Sequence, residues 1–337
     1  MERLSDYDYH LPEELIAQKP LEDRSSSRLL HLDLRTGGVK DGRFTDVVET
    51  LRPGDLLVWN STRVTALRLF GQKPTGGSVE AMLVHQTGPD RFAAMLKPAK
   101  RLKPGARIHF EGGLEAEVAQ HLEEPLKEIR FLASSDLPEK LAAFGRVPLP
   151  PYITHALDDP ERYQTVYSKV GGSAAAPTAG LHFTPELIEK LTAKGISIAE
   201  VSLDVSLDTF RPVMVDDLEA HVMHGEVCRL PESTADLVNA CRGRVIAVGT
   251  TSARTLESFA IEKGKVEPGE HRTSIFIRPG YEWKIVQGMF TNFHMPRTTM
   301  LMMISALAGK PNILKAYEHA IQQRYRFLSF GDSMLIL

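Results

Sequence analysis

The sequence predicts an α/β protein. Its main α/β domain, residues 1–63 and 150–337, carries a mostly parallel sheet and is interrupted by a small antiparallel β-barrel-like domain at residues 64–149. Two patterns and the composition predict this. From Tyr152 onward, helical periodicity alternates with apolar strand runs, which implies a parallel sheet covered on both faces. Between Val64 and Arg146, short alternating segments follow one another across Gly and Pro breaks, as in a small barrel or sandwich. A chain of 337 residues with 42% hydrophobic and 25% charged residues is an ordinary globular composition, with enough length for one large or two ordinary domains.

The elements follow in order. Leu11 to Gln18 reads as a short helix, and Arg28 to Leu34 alternates as a half-buried strand. Thr36-Gly37-Gly38 and Pro53-Gly54 supply turns, the second before an apolar strand from Asp55 to Trp59. In the inserted segment the strand candidates are Ala66 to Leu69, Ser78 to His85, Arg91 to Leu96, Ala106 to Phe110, Glu115 to Ala119 and Lys127 to Phe131. Pro148-Leu-Pro-Pro151 reads as the return linker. Thr184-Pro185-Glu186 opens an amphipathic helix that stops before Gly195, and a strand runs from Ile196 to Leu203. A helix from Glu232 to Cys241 precedes the strand Val245 to Val248, after which Thr251 or Ser252 caps a helix carrying Arg254. A strand ends at Thr291, and two helices follow, Thr299 to Ala308 and Pro311 to about Tyr325.

Charge and cysteine usage narrow the function. A net charge of -3 argues against polyanion binding driven by overall charge, so nucleic acid would need a local patch. Cys228 and Cys241 match no zinc or redox spacing and read as reduced thiols of a cytoplasmic protein. The N-terminus lacks a signal-peptide core, and the longest apolar run, Met300 to Ala308, is too short to span a membrane. No membrane partner is expected, and a monomer is the expected state.

Three strand-to-helix loops carry the candidate chemistry, because ligands of such sheets bind beyond the carboxyl ends of the strands. The first runs through Gly, Ala and Ser from Gly171 to His182 and delivers that histidine beside a helix N-terminus. The second, Gly249-Thr250-Thr251-Ser252, offers N–H groups and hydroxyls to a carboxylate or ribose, or serves only as a helix cap. The third is Thr291-Asn292-Phe293-His294. His221-Val-Met-His224-Gly-Glu226 invites a metal reading, with two histidines on one helix face, or a polar-ligand reading. Lys97, Lys100, Arg101, Lys103 and Arg107 form a cationic strip, either phosphate-binding or a solvated hairpin. Arg24, Arg28 and Arg63 are separate phosphate or carboxylate candidates.

Tyr163-Gln-Thr-Val-Tyr167 followed by Ala176-Pro-Thr-Ala-Gly-Leu-His-Phe183 resembles the S-adenosylmethionine:tRNA ribosyltransferase-isomerases of queuosine biosynthesis. Matching blocks extend from Asp8 to Met334, including Arg24 to Leu30, Thr62-Arg63, His221 to Glu226, Val248 to Thr251 and Thr291 to His294. The resemblance implies S-adenosylmethionine as a ribosyl donor and co-substrate, no resident cofactor and no metal. It implies a tRNA acceptor whose wobble base is 7-aminomethyl-7-deazaguanine, with epoxyqueuosine-tRNA, adenine and methionine as products. His182 and His294 are then the proton-transfer candidates. Thr178, Arg211, His221, His224, Glu226, Thr250, Thr251, Arg254 and Asn292 are the substrate-binding candidates, and Lys100, Arg101, Lys103 and Arg63 those for tRNA.

One segment departs from the family pattern Leu-His-Val-Gly-x-Gly-Thr-Phe: here it reads Leu203-Asp204-Val-Ser206-Leu-Asp208-Thr209-Phe210. Carboxylates there would oppose the donor's own carboxylate. Two other functions follow from the residues: a non-catalytic RNA-binding relative, through this departure, and a metal-dependent hydrolase built on His221, His224 and Glu226.

Overall fold

The computed structural model of the protein describes residues 2–132, 136–205, 215–223 and 225–337. The chain divides into two compact units, Met1–Thr62 with Pro151–Val170 and Ala176–Leu337, and Arg63–Pro150 with Gly171–Ala175. The first unit opens with β1 (Arg28–Leu32), β2 (Val39–Arg43), α1 (Val47–Thr50) and β3 (Leu56–Asn60). Leu11 to Gln18 forms only a single 3-10 turn, Glu13–Leu15. The sequence then enters the second unit through β4 (Thr62–Val64), which carries Arg63.

In the second unit β5 (Leu67–Gln72), β6 (Ser78–Gly88), β7 (Arg91–Lys97), β8 (Arg107–Phe110), β9 (Glu115–His121) and β10 (Lys127–Phe131) close into a barrel of order β10-β7-β6-β5-β8-β9. Every neighbouring pair is antiparallel. Alternation packs Leu69, Val79, Leu96, Ile108, Val118 and Ile129 inside. A helix that periodicity did not announce, α2 (Leu137–Phe144), adds Leu137 and Leu141 to the same core. Lys127 is buried, and its ammonium donates to Ala99 O and Leu102 O at 2.6 Å each, pinning the turn that carries Lys100 and Arg101.

The chain returns to the first unit after β11 (Val170–Ser173). There follow α3 (Pro185–Ala193), β12 (Ser197–Leu203), β13 (Glu226–Leu230), α4 (Glu232–Ala240), β14 (Val245–Val248) and α5 (Thr250–Ser258). A small hairpin, β15 (Ala260–Glu262) and β16 (Lys265–Val266), leads to β17 (Gly269–Thr273), β18 (Gly288–Asn292), α6 (Thr299–Ala308), α7 (Lys310–Gln322) and β19 (Ser333–Ile336). The large sheet has the order β17-β13-β12-β3-β14-β18-β19-β1-β2. Its centre, β12-β3-β14-β18, is parallel. β13 and β17 are antiparallel on one flank, and β19 is antiparallel to β18 on the other. The sheet is therefore mixed, with its parallel strands at the centre, where β3 and β14 are buried along their whole length. Phe44, Trp59, Phe183, Leu187, Ile246 and Phe290 belong to one core beside them.

The direction of β19 and β1 positions the site. Both run opposite to the central strands, so Ser27, just ahead of β1, reaches the sheet edge where β18 ends. The pairings Asn292↔Ser333 and Leu29↔Ser333 fix that row.

Candidate active site

His182 sits at that edge, 4% exposed, its ring stacked on Phe44 with centroids 5.0 Å apart. Two residues on, Thr184 accepts from Leu187 N at 3.2 Å and caps the start of α3, so the ring is held close to a capped helix start. Nδ1 lies 2.8 Å from Ser27 Oγ and Nε2 lies 3.3 Å from the Asn292 amide nitrogen. The amide oxygen of Asn292 accepts from Thr178 Oγ at 2.9 Å. With the amide oriented so, Nε2 is the acceptor and the imidazole carries its proton on Nδ1, donating to Ser27. Burial, and then the cations Arg326 and Arg24, push the His182 pKa down to about 3. The ring is neutral at neutral pH.

The small residues of the preceding loop have a steric reason. A Cβ at Gly180 would stand 1.8 Å from the Tyr167 hydroxyl, whose ring lies flat on Trp59 at 4.0 Å. Only glycine lets the 3-10 turn Thr178–Gly180 settle on that stack.

His294 is also buried and neutral, its pKa lowered to about 4 by desolvation. Its Nε2 lies 2.6 Å from Thr291 Oγ, its backbone N–H donates to the Tyr317 hydroxyl at 2.9 Å, and its backbone carbonyl accepts from Tyr9. Thr291 and Asn292 are consecutive on β18, so their side chains leave opposite faces. The two histidines thus draw on different partners, His182 through Asn292 and His294 through Thr291.

Gly249, at φ 90°, is the N-cap of α5, and its N–H donates to Phe290 O at 2.8 Å. The expected cap by Thr251 or Ser252 is corrected: Ser252 Oγ turns back to Val248 O at 2.8 Å, while Thr251 Oγ is buried with no partner. A Cβ at Gly249 would lie 3.4 Å from Ala179, so Thr250 and Thr251 open beside the turn holding Thr178. One turn into α5, Arg254 is 7% exposed and gives Nη1 to the Glu226 carboxylate. Its Nε and Nη2 are buried without acceptors. That leaves two guanidinium donors for a ligand.

Glu226 lies on β13, and His221 is in extended backbone with its ring edge-on to Phe276 at 5.2 Å. The expected helix face bearing His221 and its neighbours is therefore absent where the chain is described. Among the described residues no group of three or more His, Cys, Asp or Glu is placed to hold a metal ion. His224, Arg211, Ser206 and Asp208 lie outside the described residues. Asp204 accepts from Arg229 at 3.1 Å, an arginine it shares with Glu270, and its other carboxylate oxygen is buried with no partner.

Of the arginine candidates, Arg28 covers the Tyr325 ring at 3.6 Å and donates to Gln323 O at 2.7 Å. Arg24 reaches Leu181 O at 3.3 Å and Glu161 O at 2.9 Å beside His182. Lys100, Arg101 and Lys103 are exposed in the second unit. Sequence reading placed Thr291 in a candidate loop without giving it a role, and it missed Ser27, Tyr9 and Tyr317. Ser27 and Tyr9 fall inside matching blocks, but Tyr317 carries no local signal.

The chain matches the family described as "Queuosine biosynthesis protein" over residues 4–336. It is 52% identical over 339 aligned residues to the S-adenosylmethionine:tRNA ribosyltransferase-isomerase of Acetivibrio thermocellus, covering 99% of each chain. It is also similar to the crystal structure of S-adenosylmethionine tRNA ribosyltransferase from Thermotoga maritima, with a TM-score of 0.56 and 34% identity over 98% of this chain and 100% of that one. The blocks that meet at the sheet edge and the agreement along almost the whole length lead to one conclusion: the chain belongs to the queuosine biosynthesis protein family.

Proposed function

We propose that the protein is an S-adenosylmethionine:tRNA ribosyltransferase-isomerase. It moves and rearranges the ribosyl group of S-adenosylmethionine onto 7-aminomethyl-7-deazaguanine at the tRNA wobble position, giving epoxyqueuosine-tRNA, adenine and methionine. The observation that carries this is 52% identity to a relative of that name across 99% of both chains. S-adenosylmethionine is a co-substrate, consumed rather than resident. The acting form is a cytoplasmic monomer, with a catalytic body of residues 1–63 and 150–337 and an inserted RNA-facing β domain of residues 64–149.

The sulfonium acidifies the ribose 5′ carbon, and a neutral imidazole takes that proton. Two features favour His182 for this step: it lines a cavity, and its ring is held by Ser27, Asn292 and Phe44. His294 stands behind Thr291 and shapes the end of β18. Neither histidine is an imidazolium at neutral pH, so each is a proton acceptor rather than an acid. Arg254 and Glu226 present one fixed charge of each sign, the complement of an α-amino acid, and take the methionyl end of the donor. Thr178, Thr250 and Thr251 offer hydroxyls to the ribose. Lys100, Arg101, Lys103 and Arg63 meet tRNA phosphates.

The test is adenine release from S-adenosylmethionine, which should require tRNA bearing the aminomethyl base. Protein that binds this tRNA yet releases no adenine would be the non-catalytic relative instead.

A further inference from the structure

Beside His182 lies a cavity of about 20 Å³, lined by Arg24, Ser27, Arg162, His182 and Ser329 among others. That is room for one water-sized atom. Its guanidinium groups are held by neutral oxygens. Arg24 donates to Leu181 O and Glu161 O, Arg162 to Leu21 O, and nearby Arg326 to Lys19 O. Arg162 Nε and Arg326 Nη1 are buried without an acceptor. The acidic groups that act on these arginines are Asp159, Glu161 and Asp332. Asp159 accepts from Glu161 N at 2.9 Å, and Asp332 accepts from the backbone of Arg28 and Arg326 at 2.9 and 2.8 Å. A buried guanidinium donor left over on the lining residue Arg162, beside the lining cation Arg24, favours an oxyanion.

We propose that this cavity takes a non-bridging oxygen of one RNA phosphodiester, adjoining the nucleotide being modified. The proposal rests on the tRNA reading above. A phosphodiester fits and the donor does not, on grounds of charge. The donor's methionyl end brings an ammonium and a sulfonium against its one carboxylate, and clustered guanidiniums repel that surplus. A phosphodiester carries one negative charge and no cation, and it meets a planar fork well. Seated there, the backbone would present the neighbouring base to His182, and one contact would fix the register of the RNA on the site.

The experiment uses anticodon stem–loop RNA bearing the aminomethyl base, with a neutral methylphosphonate replacing one loop linkage at a time. In the wild-type protein one position should weaken binding about tenfold. Arg162→Gln should lose the same factor on all-phosphate RNA, ignore the neutral linkage at that position, and bind S-adenosylmethionine as before. Arg162→Lys, with charge but no fork, should recover part of the loss, and it replaces the Gln variant in the comparison if that variant does not fold. The proposal falls if no single linkage matters to the wild type. It falls equally if the Arg162 variant still discriminates, or if donor affinity drops in place of RNA affinity. A wild type that shows the linkage effect without releasing adenine would refute the reaction and leave the phosphate site standing.

Discussion

At Asn292 one carboxamide serves two partners, His182 through its nitrogen and Thr178 through its oxygen. Asn292→Ala should cut the rate of adenine release about 10- to 100-fold, the loss of one or two oriented polar contacts, while tRNA affinity stays within about twofold. An unchanged rate would remove Asn292 from the site. The buried histidines set the pH dependence of stability. Each has a folded pKa, about 3 and about 4, below the usual value of 6.5, so the unfolded chain binds protons first. Stability is therefore full above about pH 6.5 and falls as pH drops, by about 1.4 kcal/mol per pH unit for each histidine until its folded pKa is reached. Urea unfolding between pH 7 and 4.5 should show that slope, roughly halved in His294→Gln. His182 was legible in sequence because a run of small residues ends on it, next to a helix start. Arg162 and Arg326 were not, because each is a single residue in an unremarkable segment and only tertiary pairing brings them together.

Among the elements, the six barrel strands were readable because their faces alternate between a filled interior and solvent. β13 alternates as well, but the histidines before Glu226 are spaced as on a helix, and that spacing competed with the strand pattern. β2, Val-Lys-Asp-Gly-Arg, is an edge strand with no fully buried residue, so it gave no apolar signal. The 3-10 turn Ala99–Arg101 owes its shape to Lys127 beneath it. Lys127→Met should keep the barrel folded while freeing two buried carbonyls, at a cost of about 1–3 kcal/mol. With Lys100 and Arg101 no longer held in place, the KM for tRNA should rise several-fold and that for S-adenosylmethionine should not move. A tRNA KM equal to that of the wild type would mean the strip does not touch RNA.

For the whole molecule, the mixed sheet follows from strands far apart in sequence. The alternation of helix and strand announced β12, β14 and α3 to α6 in order, but no local pattern encodes that β19 inserts between β18 and β1. That insertion carries a consequence in time. Arg28 N is bonded to Asp332, 304 residues along the chain. The segment holding Arg24 and Ser27 therefore leaves the ribosome early and can pair with β2 at once, but it waits for residues 333–336 before it can join the rest of the sheet. Closing so long a loop is slow, and until then the β1 edge that takes β19 stays unpaired. In refolding experiments, amides of β3 and β14 should become protected from hydrogen exchange before those of β1 and β19. On the proposed role of Arg254, donor binding should appear before His182 acquires its full set of partners. A nascent chain stalled ahead of residue 333 would then be a protein that holds S-adenosylmethionine and leaves it intact.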